Sequence, residues 1–150
     1  MCSEFFERYK QEEFLFLKAV SLTFSGGFSE ENVNAAKAEL KQALMLRRNY
    51  FQACAVLAAL TLGIKIKEAF MGIDTLDKAA LTASSELVER TLKMNRIFAP
   101  AYVLQGVIYC LEGKQDKANT AFDFAIQCDK RNVPAYVSKA LLTFFKTGDP

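Results

Sequence analysis

The side chains able to do chemistry in this chain of 150 residues are few, and their spacing suits chemistry poorly. Four cysteines, Cys2, Cys54, Cys110 and Cys128, offer thiols. A thiolate attacks carbon or binds metal when a base, a cation or a second ligand sits beside it. No two of these four form a CxxC pair or a metal-ligand spacing. Histidine is absent altogether, which removes the commonest general base, every Cys-His or Ser-His-Asp arrangement and the usual transition-metal ligand. The stretch "GVIYCLEGK", Gly106 to Lys114, has the glycines and lysine of a phosphate loop. The gap between its glycines is too long, Gln115 stands where a hydroxyl would hold magnesium, and no strand precedes it. The acidic pairs Glu12-Glu13 and Glu30-Glu31 are sequence neighbours, so on a helix they point to different sides rather than across a cleft. A Lys or Cys nucleophile has no base placed beside it. The expectation is a chain that is not an enzyme and uses no cofactor or metal.

Composition narrows the partners. A net charge of +2 is too small to favour direct nucleic-acid contact. Basic residues such as Arg47, Arg48, Lys93 and Arg96 fall near the ends of apolar segments, where they read as cations at helix C-termini. Cys54, Cys110 and Cys128 lie inside apolar helical patterns, where a thiol acts as a small core residue; reduced cysteines imply an intracellular home. The N-terminus keeps Glu12, Glu13 and Lys18 inside its apolar run and lacks the layout of a signal peptide. The longest apolar passage, Phe51 to Ile64, is too short to cross a bilayer and contains Gln52 and Thr61. A soluble chain without membrane insertion follows.

The elements that carry these residues are helices. Hydrophobic content is 51%, and only 3 prolines and 7 glycines interrupt the chain, which allows helix throughout. A first helix over roughly 3–25 stops at Gly26-Gly27. Ser29 caps a second, with Glu30 and Glu31 in its first turn, running to about Arg47. A third covers about 49–70. Asp74 is placed to cap the fourth, over 76–94, with Asp77 in its first turn. Pro100 opens the fifth, where its missing N–H costs least, and that helix ends near Glu112-Gly113. The sixth spans about 115–128. Asn132 and Pro134 open the seventh, which ends at "TGDP". Hairpins over 3–47, 49–94 and 99–128, plus an unpaired helix over 132–146, make one helical repeat domain over 1–150.

Repetition shows in the spacing. Ala118, Phe122 and Ala125 are four and then three apart, as are Ala36, Leu40 and Ala43. Pro134-Ala135-Tyr136 repeats Pro100-Ala101-Tyr102 after 34 residues. Two antiparallel helices approach closely only where a small side chain faces the partner backbone, so Gly106, Ala118 and Ala125 mark the contact while Tyr109 and Phe122 fill the spaces between. Gly113 supplies a positive φ in the "EGKQDK" turn, and Asp116 sits near the next N-terminus. A hairpin of this kind is stable only in a stack. An ordinary helical bundle with accidental spacing is the alternative.

At Tyr102, Gly106, Tyr109, Gly113, Ala118, Phe122, Ala125 and Asp129 the segment resembles the tetratricopeptide repeat (TPR) family, whose period is about 34 residues. Lys130 departs from that pattern, standing where the family usually has proline. Ser84 and Val88 in the second hairpin replace the expected small and aromatic residues. The resemblance implies an all-α solenoid of about seven helices in a right-handed superhelical stack. It also implies that the first helix of each pair lines a concave groove, which places Val103, Val107 and Cys110, then Val137, Leu141 and Phe144, on the inner wall. All six are apolar. Family members that clamp acidic chaperone tails need Lys and Asn where Val103 and Val107 stand, so a groove for a partner helix or extended apolar segment is expected instead. The bland reading is that these residues pack on a further repeat or a neighbouring molecule. Leu142, Phe144 and Phe145 would make an unusually apolar cap, so a fragment of a longer array is expected.

Across "ACAVLAALTLG", "DKAALTASSELVERTLKMN" and "GVIYCLEGKQDKANTAFDFAIQCDKRNVPAYVSKALLTFFKTGD" the chain is similar to the amino-terminal repeats of the TPR scaffold subunits of the RNA polymerase II-associated factor complex. That likeness implies a subunit of a multiprotein complex in transcription elongation and a nuclear location, with the cytoplasm as the location otherwise. The readings that compete are a co-chaperone or organelle-associated adaptor for a short peptide tail, and a small enzyme of unrecognised chemistry.

Overall fold

The structure is a computed structural model that describes the backbone of residues 2–25, 29–70 and 78–147 and the side chains of 11–23, 29–63 and 78–144. Within them the chain forms α1 (Cys2–Ser25), α2 (Glu30–Leu46), α3 (Phe51–Phe70), α4 (Lys78–Met94), α5 (Ala99–Leu111), α6 (Gln115–Cys128) and α7 (Val133–Thr147). No strand occurs among the described residues. The glycine stop at Gly26-Gly27, the cap expected of Asp74, the start at Leu76-Asp77 and the last residues of "TGDP" lie outside the described residues.

Local chemistry sets the helix ends. Ser29 is extended and its hydroxyl accepts the Asn32 N–H at 3.3 Å, satisfying one orphan donor of α2. Asn132 does the same for α7, its side-chain oxygen accepting the Ala135 N–H at 3.0 Å. At the end of α5 the Gly113 N–H reaches the Cys110 carbonyl at 3.0 Å and the Lys114 N–H reaches the Tyr109 carbonyl at 2.8 Å. This paired closure requires a left-handed residue between them, and Gly113 has φ 75°. Asp116 falls in the first turn of α6, while Lys114, without a capping side-chain bond, holds the N-cap position.

Packing follows the hairpins. The most extensive contacts join α1 to α2, α3 to α4 and α5 to α6, and lesser ones join each hairpin to the next. α3 also packs on α5, and α5 on α7, whereas no comparable packing joins α2 to α4 or α4 to α6 among the described residues. From α3 onward the first helices therefore lie closer together than the second helices, and a stack with that asymmetry curves.

The buried faces repeat. α2 buries Val33, Ala36, Leu40 and Ala43; α4 buries Leu81, Ser84, Val88 and Thr91; α6 buries Ala118, Ala121, Phe122 and Ala125. Gly106 is small for a different reason from the one its spacing implies. A Cβ there would meet the ring of Phe122, with Cε1 at 2.4 Å, and not partner backbone. In the other hairpins the residue matching Phe122 is smaller: Leu40 shares its core cluster with Ala19, and Val88 with Ala58. Only the hairpin with an aromatic knob needs glycine opposite.

Between the first two hairpins, Arg47 at the end of α2 reaches back to the buried carboxylate of Glu12 at 3.5 Å and lies 5.0 Å from the ring centroid of Tyr50. Tyr50 in turn touches the ring of Phe16, with centroids 5.2 Å apart. Arg47 thus ties α1 to the turn before α3, a more specific job than complementing a helix dipole.

Candidate partner-binding site

The residues expected on an inner wall are placed by what α5 and α7 leave uncovered. On α5, Tyr102 stacks on Phe124 of α6 with centroids 5.7 Å apart, Gly106 sits under Phe122, and Lys117 of α6 approaches the Tyr109 ring at 5.9 Å. That side belongs to α6. Ala101 and Ile108 join Ala58, Leu62, Leu81 and Val88 in the core against the second hairpin. What remains is the face carrying Val103, Val107 and Cys110, all half-buried.

Val137, Leu141 and Phe144 follow those three by 34 residues on α7. Ala135 is buried, and Lys139 pairs with Asp123 of α6, fixing which side of α7 faces the stack. Val137, Leu141 and Phe144 then stand 51%, 51% and 49% exposed. Since α5 packs on α7, the six expected wall residues occupy matching positions on two neighbouring first helices. On that expectation the wall is half-covered at α5 and open at α7.

Its chemistry is apolar. Burial pushes the Cys110 thiol up, so it stays protonated and joins the wall as a small hydrophobe. Burial also raises the Cys54 thiol, partly offset by the Arg90 guanidinium. Cys54 is a core residue as expected, but Cys128 is exposed at the end of α6, outside any core. The Lys114 ammonium is held above its ordinary range by its hydrogen bond to Glu112, which favours the charged amine and not a nucleophilic one. Among the described residues no three Cys, Asp or Glu side chains gather closely enough to hold a metal ion, and no helix is long and apolar enough to cross a membrane.

The sequence reading missed a second surface feature. A cleft of about 490 Å³ opens between α2 and α4, and Lys41, Arg48 and Arg90 stand around it. Arg48, expected as a cation serving its own helix end, is one of this group. Lys41 and Arg90 are 49 residues apart, and only the stacking of two hairpins brings them together.

Solved structures share this arrangement. The Arabidopsis OM64 TPR domain superposes with a TM-score of 0.72 at 14% identity, covering 92% of this chain and 98% of that one. This is the tetratricopeptide-repeat fold. MamA matches this TPR stack with a TM-score of 0.67 at 23% identity, over 91% of this chain and 68% of its own. The first TPR of Spaghetti (RPAP3), solved bound to the HSP90 peptide SRMEEVD, gives 0.62 at 13% identity over 88% and 95%. No protein-family model and no curated sequence matches the chain. Fold likeness at such low identity is physically reasonable, because a TPR stack is fixed by a few small and large positions per hairpin while the remaining surface varies.

Proposed function

We propose that this TPR stack is a scaffold without catalysis of its own, holding a helix or extended apolar segment of another protein against the wall of Val103, Val107, Cys110, Val137, Leu141 and Phe144. The observation that carries the reading is the exposure of Val137, Leu141 and Phe144, each about half open to solvent and in register with α5. Large apolar side chains gathered on one open face lose contact with water when a partner covers them, which favours association. The three TPR structures support a role in protein interaction, and the third was solved with a peptide in place.

That peptide is acidic, and the inner wall of this chain is not built to hold carboxylates. Val103 and Val107 offer no donor, so an adaptor for acidic peptide tails is the weaker reading. A place in a nuclear transcription-elongation assembly is supported by the sequence resemblance alone.

The test is partner capture by the full chain carrying Val107→Glu or Leu141→Glu, each read beside far-UV circular dichroism. Loss of the captured protein with an unchanged helical spectrum is expected. Undiminished capture by both variants would remove the wall from the proposal. A peptide array separates the adaptor reading, since only an adaptor retains short linear ligands.

A further inference from the structure

The cleft between α2 and α4 shares no lining residue with the α5–α7 wall and has a different chemistry. Its apolar part is Leu44 and Met45 of α2, Leu57 of α3 and Leu87 of α4. Met45 is 81% exposed, far more than a side chain with a structural task. Around these residues stand Lys41, Arg48 and Arg90, and among the described residues no carboxylate lines the cleft. The Arg90 guanidinium donates to the main-chain carbonyl of Arg48, which holds it across the opening from α4 to the end of α2. No ion pair among the described residues engages any of the three cations. Of the carboxylates on these two helices, Glu39 is taken by Lys18 of α1, and Glu30, Glu31, Glu86 and Glu89 lie outside the lining.

Three cations without counter-charges around an apolar floor call for a ligand with carboxylates at its edges and large hydrophobic groups between them. A nucleic acid would supply anions, but it binds single-stranded through aromatic platforms, and no aromatic side chain among the described residues lines this cleft. We propose that the α2–α4 cleft is a second docking site that takes an acidic segment of another protein. Apolar side chains of that segment rest on Leu44, Met45, Leu57 and Leu87 while its carboxylates meet Lys41, Arg48 and Arg90. The site is independent of the inner wall, so the stack holds one polypeptide on that wall and a second, acidic one in the cleft.

The test uses fluorescence anisotropy of the whole chain with a labelled synthetic peptide of about fifteen residues, in which Asp-Glu pairs alternate with Leu. Control probes replace every Leu by Ser, replace the acids by Lys, or substitute a single-stranded oligothymidylate. The acidic Leu peptide is expected to bind, weakening with added salt. The double change Lys41→Glu with Arg48→Glu should weaken it about ten-fold or more, since each reversal turns an attraction into a repulsion. Met45→Asp, at a position already open to water, should weaken it as well, while Leu141→Glu on the inner wall should leave it unchanged. The proposal is overturned if the acidic Leu peptide fails to bind or if the charge reversals leave its affinity intact. Equal binding of the Ser peptide or the oligothymidylate overturns it too, because the cleft would then be a general anion surface.

Discussion

Gly106 of α5 and Phe122 of α6 compete for one volume: a Cβ on the glycine would stand 2.4 Å from Cε1, 2.7 Å from Cδ1 and 2.8 Å from Cζ of the ring. Phe122 is 1% exposed, so its ring has no free space into which to turn. Gly106→Ala gains about 1 kcal/mol of helix propensity and incurs an overpacking cost of about 1–3 kcal/mol. With three ring atoms inside contact distance the clash wins, and a net loss of up to about 2 kcal/mol is expected in urea denaturation. Adding Phe122→Leu should make the alanine cheaper than it is alone, which a double-mutant cycle reads directly.

Two other glycines should respond in opposite directions. Gly63 lies exposed within α3 with nothing within 4 Å of where a Cβ would sit. Gly63→Ala should raise stability by about 0.5–1 kcal/mol. Gly113 holds φ 75° at the end of α5, so Gly113→Ala should lower stability by about 1–2 kcal/mol and Gly113→Asn by less. Thermal melts of the three variants beside the parent decide it; a destabilised Gly63→Ala would mean that α3 is strained where it looks relaxed.

Ser84 is fully buried in α4, and its hydroxyl oxygen has no hydrogen-bond partner among the described residues. An unsatisfied buried hydroxyl carries a desolvation cost of about 1–3 kcal/mol. The residues in the same position of the other hairpins are Ala36 and Ala118, which carry no such group. Ser84→Ala should therefore stabilise the chain by about 1 kcal/mol in urea. A destabilising result would show that the hydroxyl has a native partner after all.

The cysteines predict an alkaline limit. Burial raises the Cys54 thiol, and the Cys110 thiol moves the same way. Below the ordinary thiol pKa, folded and unfolded chains both keep the proton and stability is constant. Above it the unfolded chain releases the proton while the folded chain retains it. Stability should fall as pH climbs towards the raised folded value, by up to about 1.4 kcal/mol per pH unit for one thiol. Cys54→Ala should flatten part of that decline between pH 7 and pH 10. In native thiol labelling, exposed Cys128 should react first and buried Cys54 last of the three described cysteines.

What the sequence made legible was whatever local spacing controls. The turn glycine at 113, the Ser29 cap, the Asn132 start and the small-large alternation of α6 each depend on neighbours within one or two turns, so their meaning is written in a few adjacent residues. Gly106 was read correctly as a contact point and wrongly as a seat for backbone, because spacing identifies a close approach without saying which atoms approach. Ser84 and Val88 looked like departures from the repeat, yet both are buried in register with their counterparts. Val88 is smaller than Phe122 and shares its core with Ala58, which is larger than Gly106, and that trade crosses helices. Arg47 and Arg48 are adjacent in sequence and diverge in space, one turning to Glu12 and the other to the α2–α4 cleft. Which way each turns depends on elements tens of residues away, and no local pattern encodes it.

The predominance of contacts within each hairpin bears on how the chain reaches this state. Most residues meet partners only a few tens of positions distant, so little loop-closure entropy has to be lost before contacts reward it, and assembly should be rapid. Each hairpin becomes a cooperative unit joined to its neighbour by a thinner seam, and native-state amide exchange should reveal those units opening at separate free energies. α7, resting on α6 and to a lesser extent on α5, should exchange earliest of the described C-terminal helices. The helix with the most exposed apolar wall is thus the one whose order has most to gain from an added contact.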